Sequence, residues 1–313
     1  MRCIPHKGYF LRMNLYLNEM YPLLYRLTTA ALYALSFYYL LQCIYNLKSP
    51  VFSVFQGVAI LGVFILLLIL RLMDEIKDKA IDQELFSDRP LPSGRVEETD
   101  IIFSLIVMII SFLLINFLMI RLFWLVILVL GYTLLMFRYF FVASILRKNL
   151  ILNLITHNPI VPLMLVYIYG LFVVEHDLIF INSNWFMVLM LILMFWSMSL
   201  AWEIARKIRS PEEENAYVTY SQIFGPPGAV AIAAGVQTMT LLLSFYFYFR
   251  LSLTPVFLIT VIIGYGLLIR AYIRFIIYPN PYTSKLKPWS EFYLLTVCLA
   301  ACLDLVAVTL GRS

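Results

Sequence analysis

VFSVFQGVAILGVFILLLILRLM, residues Val51–Met73, runs directly into DEIKDKAIDQELFSDRPLPSGR, residues Asp74–Arg95. The first stretch carries Arg71 as its only charge and shows no strict alternation. A bilayer core about 30 Å thick is crossed by about 20 apolar residues in a helix. Lipid offers backbone N–H and C=O groups no partner, so only helices or closed barrels can span it. An unbroken apolar run of this length selects the helix. The second stretch is charged and proline-stiffened, too polar to enter lipid. The junction Met73–Asp74 therefore marks a membrane surface.

The rest of the chain repeats the first pattern. Of its 313 residues 63% are hydrophobic and 13% charged, with a mean hydropathy of +0.90. A soluble domain has no use for so much apolar surface. The expected fold is all-α, a polytopic membrane bundle of nine transmembrane helices forming a single domain over residues 1–313. The spans are Pro22–Asn46, Val51–Met73, Ile101–Ile120, Leu122–Leu146 and Leu150–Val174, then Asn182–Ile204, Gly228–Phe249, Thr254–Tyr278 and Glu291–Leu310. Gly-Pro-Pro at Gly225–Pro227 and Asn-Pro-Tyr at Asn280–Tyr282 punctuate two connections. Tight joins make spans three and four, and spans eight and nine, expected antiparallel neighbours. The first apolar run begins near Tyr21 and is long enough to anchor rather than to be a cleaved leader. Cys3, Cys43, Cys298 and Cys302 form no CxxC pair, and the last two read as small buried residues four apart on a helix.

Lys and Arg set the expected orientation. With the N-terminus cytoplasmic, nineteen of the 23 basic residues fall inside, and only Lys48, Arg121, Arg250 and Arg312 fall outside. The net charge of +5 is absorbed by this asymmetry and calls for no nucleic-acid partner. The expected location is the cell (inner) membrane. Loops 74–100 and 204–227 then both face the cytoplasm, where they could share a ligand.

Asp74, Asp78 and Asp82 recur every four residues, on one face of a helix that continues the second span. Two readings fit that spacing. It is a solvated helix end softened by Lys77 and Lys79, or a Mg²⁺–diphosphate site, since Mg²⁺ favours carboxylates and keeps phosphates and waters as its other ligands. The following RPLPSGR, Arg89–Arg95, supplies two guanidinium groups suited to phosphate. An aspartate-rich helix end followed by RPLPSGR resembles the UbiA-type intramembrane prenyltransferase superfamily. Its first motif, Asn-Asp-x-x-Asp-x-x-x-Asp, lays its last two aspartates on Asp78 and Asp82, its Asn on Asp74 and its first Asp on Glu75. Both departures keep an oxygen ligand.

The resemblance extends to the second loop with larger departures. The family's Asp-x-x-x-Asp there falls on Ser210 and Glu214, and the acidic residue that often precedes it falls on Glu203. Glu203 either binds a second Mg²⁺ or is paired by Lys207 at i+4. Lys207 and Arg209 either bind phosphate or mark a loop that has lost chemistry. Arg147 and Lys148 match a basic pair common in the family and could equally be membrane anchors. Asn158, inside span five, lines an acceptor pocket or makes a helix-packing hydrogen bond. Asp304, in span nine, has no evident partner. The many Tyr and Phe residues read as interface belts or packing, with a few able to line an isoprenoid channel.

The resemblance implies an alkyl-group transferase that moves an isoprenyl group from a polyprenyl diphosphate to a lipophilic, aromatic acceptor with Mg²⁺. It implies metal ligands Asp74, Asp78, Asp82, Glu203 and Glu214. It implies catalytic roles for Asp78, Asp82, Glu203 and Lys207, and diphosphate contacts from Arg89, Arg95, Arg147, Lys148 and Arg209. A terpene cyclase, or a non-catalytic or transport relative, is the alternative on the same frame. Transporters place polar groups near the bilayer midplane, whereas charge here gathers at one face. An alcohol phosphotransferase is excluded, because its Asp-Gly motif needs glycines and none lies between Gly62 and Gly94.

Overall fold

The computed structural model describes residues 8–47, 52–214 and 218–310. Cys3, Val51, Asn215, Tyr217 and the basic residues Arg2, Lys7, Lys48 and Arg312 lie outside the described residues. The regular structure of the described residues is helical. It forms two compact units, one from the chain through Ala34 with Ser53–Ala143, the other from Leu35–Phe52 with the chain from Ser144 on.

The first unit holds α1 (Tyr9–Met20), the start of α2 (Leu23–Ile44), α3 (Val54–Lys77), α4 (Lys79–Leu85), α5 (Glu98–Ile115) and α6 (Phe123–Phe137). A capping box begins α3: the Gln56 amide donates to Ser53 Oγ, and the Ser53 amide donates to Gln56 Oε1, both at 3.1 Å. The helix then runs through the apolar stretch and carries Asp74–Lys77 past it. α5 packs on α3, and α1 packs against α5. The expected antiparallel pairing of spans three and four is looser than drawn, for α5 and α6 each pack on α3 and on the 3₁₀ turn Asn116–Leu122 between them.

The second unit holds the rest of α2, then α7 (Ala143–Leu146), α8 (Leu150–His157), α9 (Ile160–Glu175), α10 (Trp185–Ala205), α11 (Tyr220–Leu251), α12 (Pro255–Ile277) and α13 (Leu286–Leu310). α8 and α9 form one span interrupted at Asn158–Pro159, where proline brings no N–H to the ladder. α11 bends at Gly225, whose φ of 69° and ψ of 159° are non-helical. Pro226 and Pro227 follow and open the apolar part of the helix, where a missing N–H costs nothing.

Eight helices among the described residues are long and apolar enough to cross a membrane. The chain is an all-α polytopic membrane protein. The expected fourth span is where the count of nine changes. α6 is apolar but has 15 residues, about 22 Å of helix, and follows the 3₁₀ turn Asn116–Leu122, so it is shorter than the eight counted here. Tyr139, Phe140 and Phe141 end it in the left-handed region, with φ of 49°, 50° and 62°. L-residues resist that conformation by about 1–2 kcal/mol each.

Asp304 has the partners that its sequence context hid. Fully buried, it accepts from the Tyr39 hydroxyl at 2.6 Å and the Thr254 amide at 2.5 Å, tying α13 to α2 and to the start of α12. α12 and α13 pack closely, as expected of spans eight and nine. A Cβ on Gly264 would stand 2.6 Å from Thr296 Cγ2. Gly264→Ala should therefore cost about 1–3 kcal/mol through overpacking. Thermal unfolding in detergent should show the loss and its partial recovery in Gly264→Ala/Thr296→Ala.

Candidate active site

The backbone carries the acidic repeat across the end of α3. The amides of Asp78, Asp82 and Phe86 donate to the carbonyls of Asp74, Asp78 and Asp82, each at 2.9 Å. Asp78 is at once the last cap of α3 and the first of α4, so the four-residue register survives the joint.

Their side chains stand in different surroundings. Asp74 is half exposed and meets Lys77 Nζ at 3.2 Å. Asp82 is buried, and Arg89 Nη1 donates to both of its oxygens at 2.8 Å. The Arg89 guanidinium lies 4.0 Å over the Phe86 ring. Glu75 turns inward to pair with Arg71, its Oε2 buried without a hydrogen-bond partner. Asp78 accepts from the Tyr139 hydroxyl at 3.3 Å, while the Tyr139 ring receives the Lys77 ammonium at 4.7 Å. Sequence reasoning missed Tyr139, which looked like one packing aromatic among many.

Burial pushes the Asp78 carboxyl above its ordinary range, and the charge of Asp74 adds to this. Lys77 opposes the rise, Asp82 reinforces it, and the Tyr139 hydrogen bond offsets part of it. Asp78 is thus a carboxylate whose ionised form its surroundings leave under-compensated. Among the described residues no three acidic, histidine or cysteine side chains converge on one ion-sized point.

RPLPSGR folds back on itself. The amides of Ser93, Gly94 and Val96 donate to the carbonyls of Arg89, Leu91 and Pro90 at 3.0–3.1 Å. Gly94 sits at φ +72°, a conformation that only glycine adopts at no cost. Arg95 points away from Asp82: it donates to both oxygens of Glu19, at 2.5 and 2.9 Å, and to the Asp88 carbonyl at 2.6 Å.

In the second unit the loop after α10 is internally paired. Glu203 meets Arg206 at 2.6 Å and the expected Lys207 at 3.7 Å. Ser210, where the resembled motif has aspartate, is buried and caps the short turn Pro211–Glu213. Burial would raise the Glu213 carboxyl, but hydrogen bonds from Ser284 and Ser210 and the charge of Arg209 outweigh it and leave it lowered. Arg209 spends its amide on Ser221 Oγ at 2.8 Å and one guanidinium N–H on the Glu213 carbonyl at 3.4 Å. Glu214 accepts from the Thr219 hydroxyl at 2.7 and 2.9 Å. Arg147 and Lys148 are exposed on the turn after α7. Asn158 accepts from the Trp196 indole N–H, the packing bond that was one of its two expected roles.

The raised pKa of Asp78 has a sign for stability. Its ionised form opposes folding, so its contribution is most favourable below the ordinary aspartate range and is lost as pH rises through the shifted value. Asp78→Asn should melt higher than the wild type at pH 7. The gap should close on acidification, when the wild-type carboxyl takes up its proton.

Known proteins resemble this chain in sequence pattern and in fold. The model of the UbiA prenyltransferase family covers residues 44–295, from the end of α2 into α13. A solved structure from work on digeranylgeranylglyceryl phosphate synthase in membranes is 17% identical, with a TM-score of 0.62 over 95% of this chain and 99% of that one. The apo structure of a UbiA homolog from Aeropyrum pernix K1 is 14% identical, with a TM-score of 0.62 over 89% and 98%. No curated protein gives a significant match. At these identities the structures speak for the fold alone, while the family match takes in both charged loops and most of the helices between and around them. This chain belongs to the UbiA prenyltransferase family.

Proposed function

We propose that this chain transfers an isoprenyl group from a polyprenyl diphosphate to a lipophilic, aromatic acceptor, using Mg²⁺ at Asp74, Asp78 and Asp82. Family membership supports the kind of reaction. Asp78 carries the metal reading: a half-buried carboxylate beside two others, short of positive charge, ends a membrane helix. The donors are all carboxylate oxygens, the set Mg²⁺ prefers, so the chemistry of the residues fits the ion. Bound there, Mg²⁺ would neutralise charge that builds on the leaving diphosphate.

The chain's own groups have complementary tasks. As the allylic C–O bond breaks, its electron pair leaves on the diphosphate oxygen. The acceptor carbon bonds to the allylic carbon and gives up a proton. Preorganised cations aimed at the leaving oxygens lower the barrier most. Arg89 fixes Asp82, and Tyr139 fixes Asp78 and Lys77. On the family resemblance, Arg147, Lys148 and Arg209 serve as further diphosphate contacts. Glu203, Lys207 and Glu214 form the second loop's share of the machinery. The basic-residue asymmetry supports cytoplasmic loops and an inner-membrane location.

Purified protein given a prenyl diphosphate and an aromatic acceptor should release diphosphate only with Mg²⁺. Asp78→Ala and Asp82→Ala should each lower turnover by at least about a hundredfold, the loss that follows removal of a key electrostatic group. Unchanged turnover in both variants sinks the mechanism. A cyclised product with no acceptor consumed replaces transfer by cyclisation.

A further inference from the structure

α1 contributes no residue to the acidic repeat, yet its polar residues hold the segment that carries Arg89. Arg12 forms a two-pronged pair with Asp100, Nε to Oδ2 at 2.6 Å and Nη2 to Oδ1 at 2.8 Å. Its other guanidinium nitrogen is 3.3 Å from Glu97. Tyr9 and Ser104 share a hydrogen bond of 2.8 Å. One helical turn after the buried Tyr16, Glu19 grips Arg95 with both oxygens. The helix is thus fastened at the start of α5 and at the end of RPLPSGR.

The second fastening leads to the acidic turn. Arg95 also donates to the carbonyl of Asp88, the residue before Arg89. Arg89 then meets both oxygens of buried Asp82. The path Glu19–Arg95–Asp88–Arg89–Asp82 is continuous and lies within one compact unit. Bidentate guanidinium–carboxylate pairs fix direction as well as distance. Tyr16 adds a second link, for its buried hydroxyl lies in the field of Glu75 and Arg71 at the end of α3.

We propose that α1 is a strap on the RPLPSGR loop and that Glu19 is a positioning residue, acting through Arg95 to set Arg89 against Asp82. This rests on the diphosphate-site reading for its functional consequence, but not for its mechanics. It gives Arg95 an intramolecular task in place of contact with the diphosphate. It also makes the N-terminal segment part of the site's precision, although no residue of α1 belongs to the acidic repeat.

The test uses the full chain in detergent with Glu19→Gln, Glu19→Arg, Arg95→Glu and the exchange Glu19→Arg/Arg95→Glu. Hydrogen–deuterium exchange reads the amides of Ser93, Gly94 and Val96, and calorimetry reads binding of Mg²⁺ with inorganic diphosphate. Each single variant should speed exchange of those amides about fivefold, the upper range for a partly exposed ion pair. Mg²⁺–diphosphate affinity should fall by a similar factor, and the double exchange, which remakes the 19–95 pair but not the Arg95–Asp88 contact, should restore both in part. Unaltered exchange in the single variants overturns the strap. Faster exchange with unaltered affinity overturns the positioning role. Unaltered affinity in both Glu19 variants beside a fall in Arg95→Glu assigns Arg95 to the diphosphate and also overturns it. A wild type that binds no Mg²⁺–diphosphate defeats the functional reading instead, while the exchange data still decide the strap.

Discussion

A carboxylate at the end of a membrane helix must find positive charge or take up a proton, because lipid cannot solvate it. The charged residues of this chain are arranged by that requirement. Glu75 turns toward Arg71, Asp82 toward Arg89, Asp100 toward Arg12 and Glu203 toward Arg206. Even Asp304, inside α13, is held by a tyrosine hydroxyl and a backbone amide. Asp78 is the member of the acidic repeat for which this compensation is incomplete. Lys77 is near it but is shared with Asp74 and the face of Tyr139. The remaining deficit opposes folding, and in the proposed function the same imbalance is what a bound Mg²⁺ would relieve.

Tyr139 shows how backbone strain enters that balance. Three successive aromatic residues in the left-handed region hold the turn that ends α6. Such conformations persist where the surroundings over-determine them. Here the tyrosine is held at its two ends, by the Asp78 carboxylate at the hydroxyl and the Lys77 ammonium over the ring. The turn shortens α6 and delivers a hydrogen-bond donor to the acidic joint. The same local geometry thus accounts for the shortness of α6 and for the ordering of Asp78 in the acidic repeat.

Most of the helices were legible in the sequence because hydrophobic length is a strong signal, and Asn158–Pro159 and Gly225–Pro227 announced their breaks in residue type. The end of α6 gave no such sign. Tyr139–Phe141 contains neither glycine nor proline, and left-handed backbone in aromatic residues is a tertiary outcome. The site was legible to the same degree. Asp74, Asp78 and Asp82 keep the register their spacing predicts, because i→i+4 hydrogen bonds continue through the joint. The partners were not legible, since Glu19 and Arg95, or Tyr39 and Asp304, are far apart in the chain and meet only after folding. Lys207 was the expected partner of Glu203, yet Arg206 comes closer because its longer planar fork reaches back along the helix.

The two charged loops differ in how far their own residues neutralise them. In the second, a serine in place of an acid removes one negative charge and uses its hydroxyl to cap the turn that holds Glu213. Glu213 then sits below its ordinary pKa, satisfied by Ser210, Ser284 and Arg209, and Glu214 is satisfied by Thr219. A carboxylate so well served gains little from an added cation. In the first loop the comparable contacts leave Asp78 above its ordinary range. Demand for external positive charge is therefore concentrated at the end of α3, and the departure at Ser210 weakens the case for a metal in the second loop without touching the case in the first.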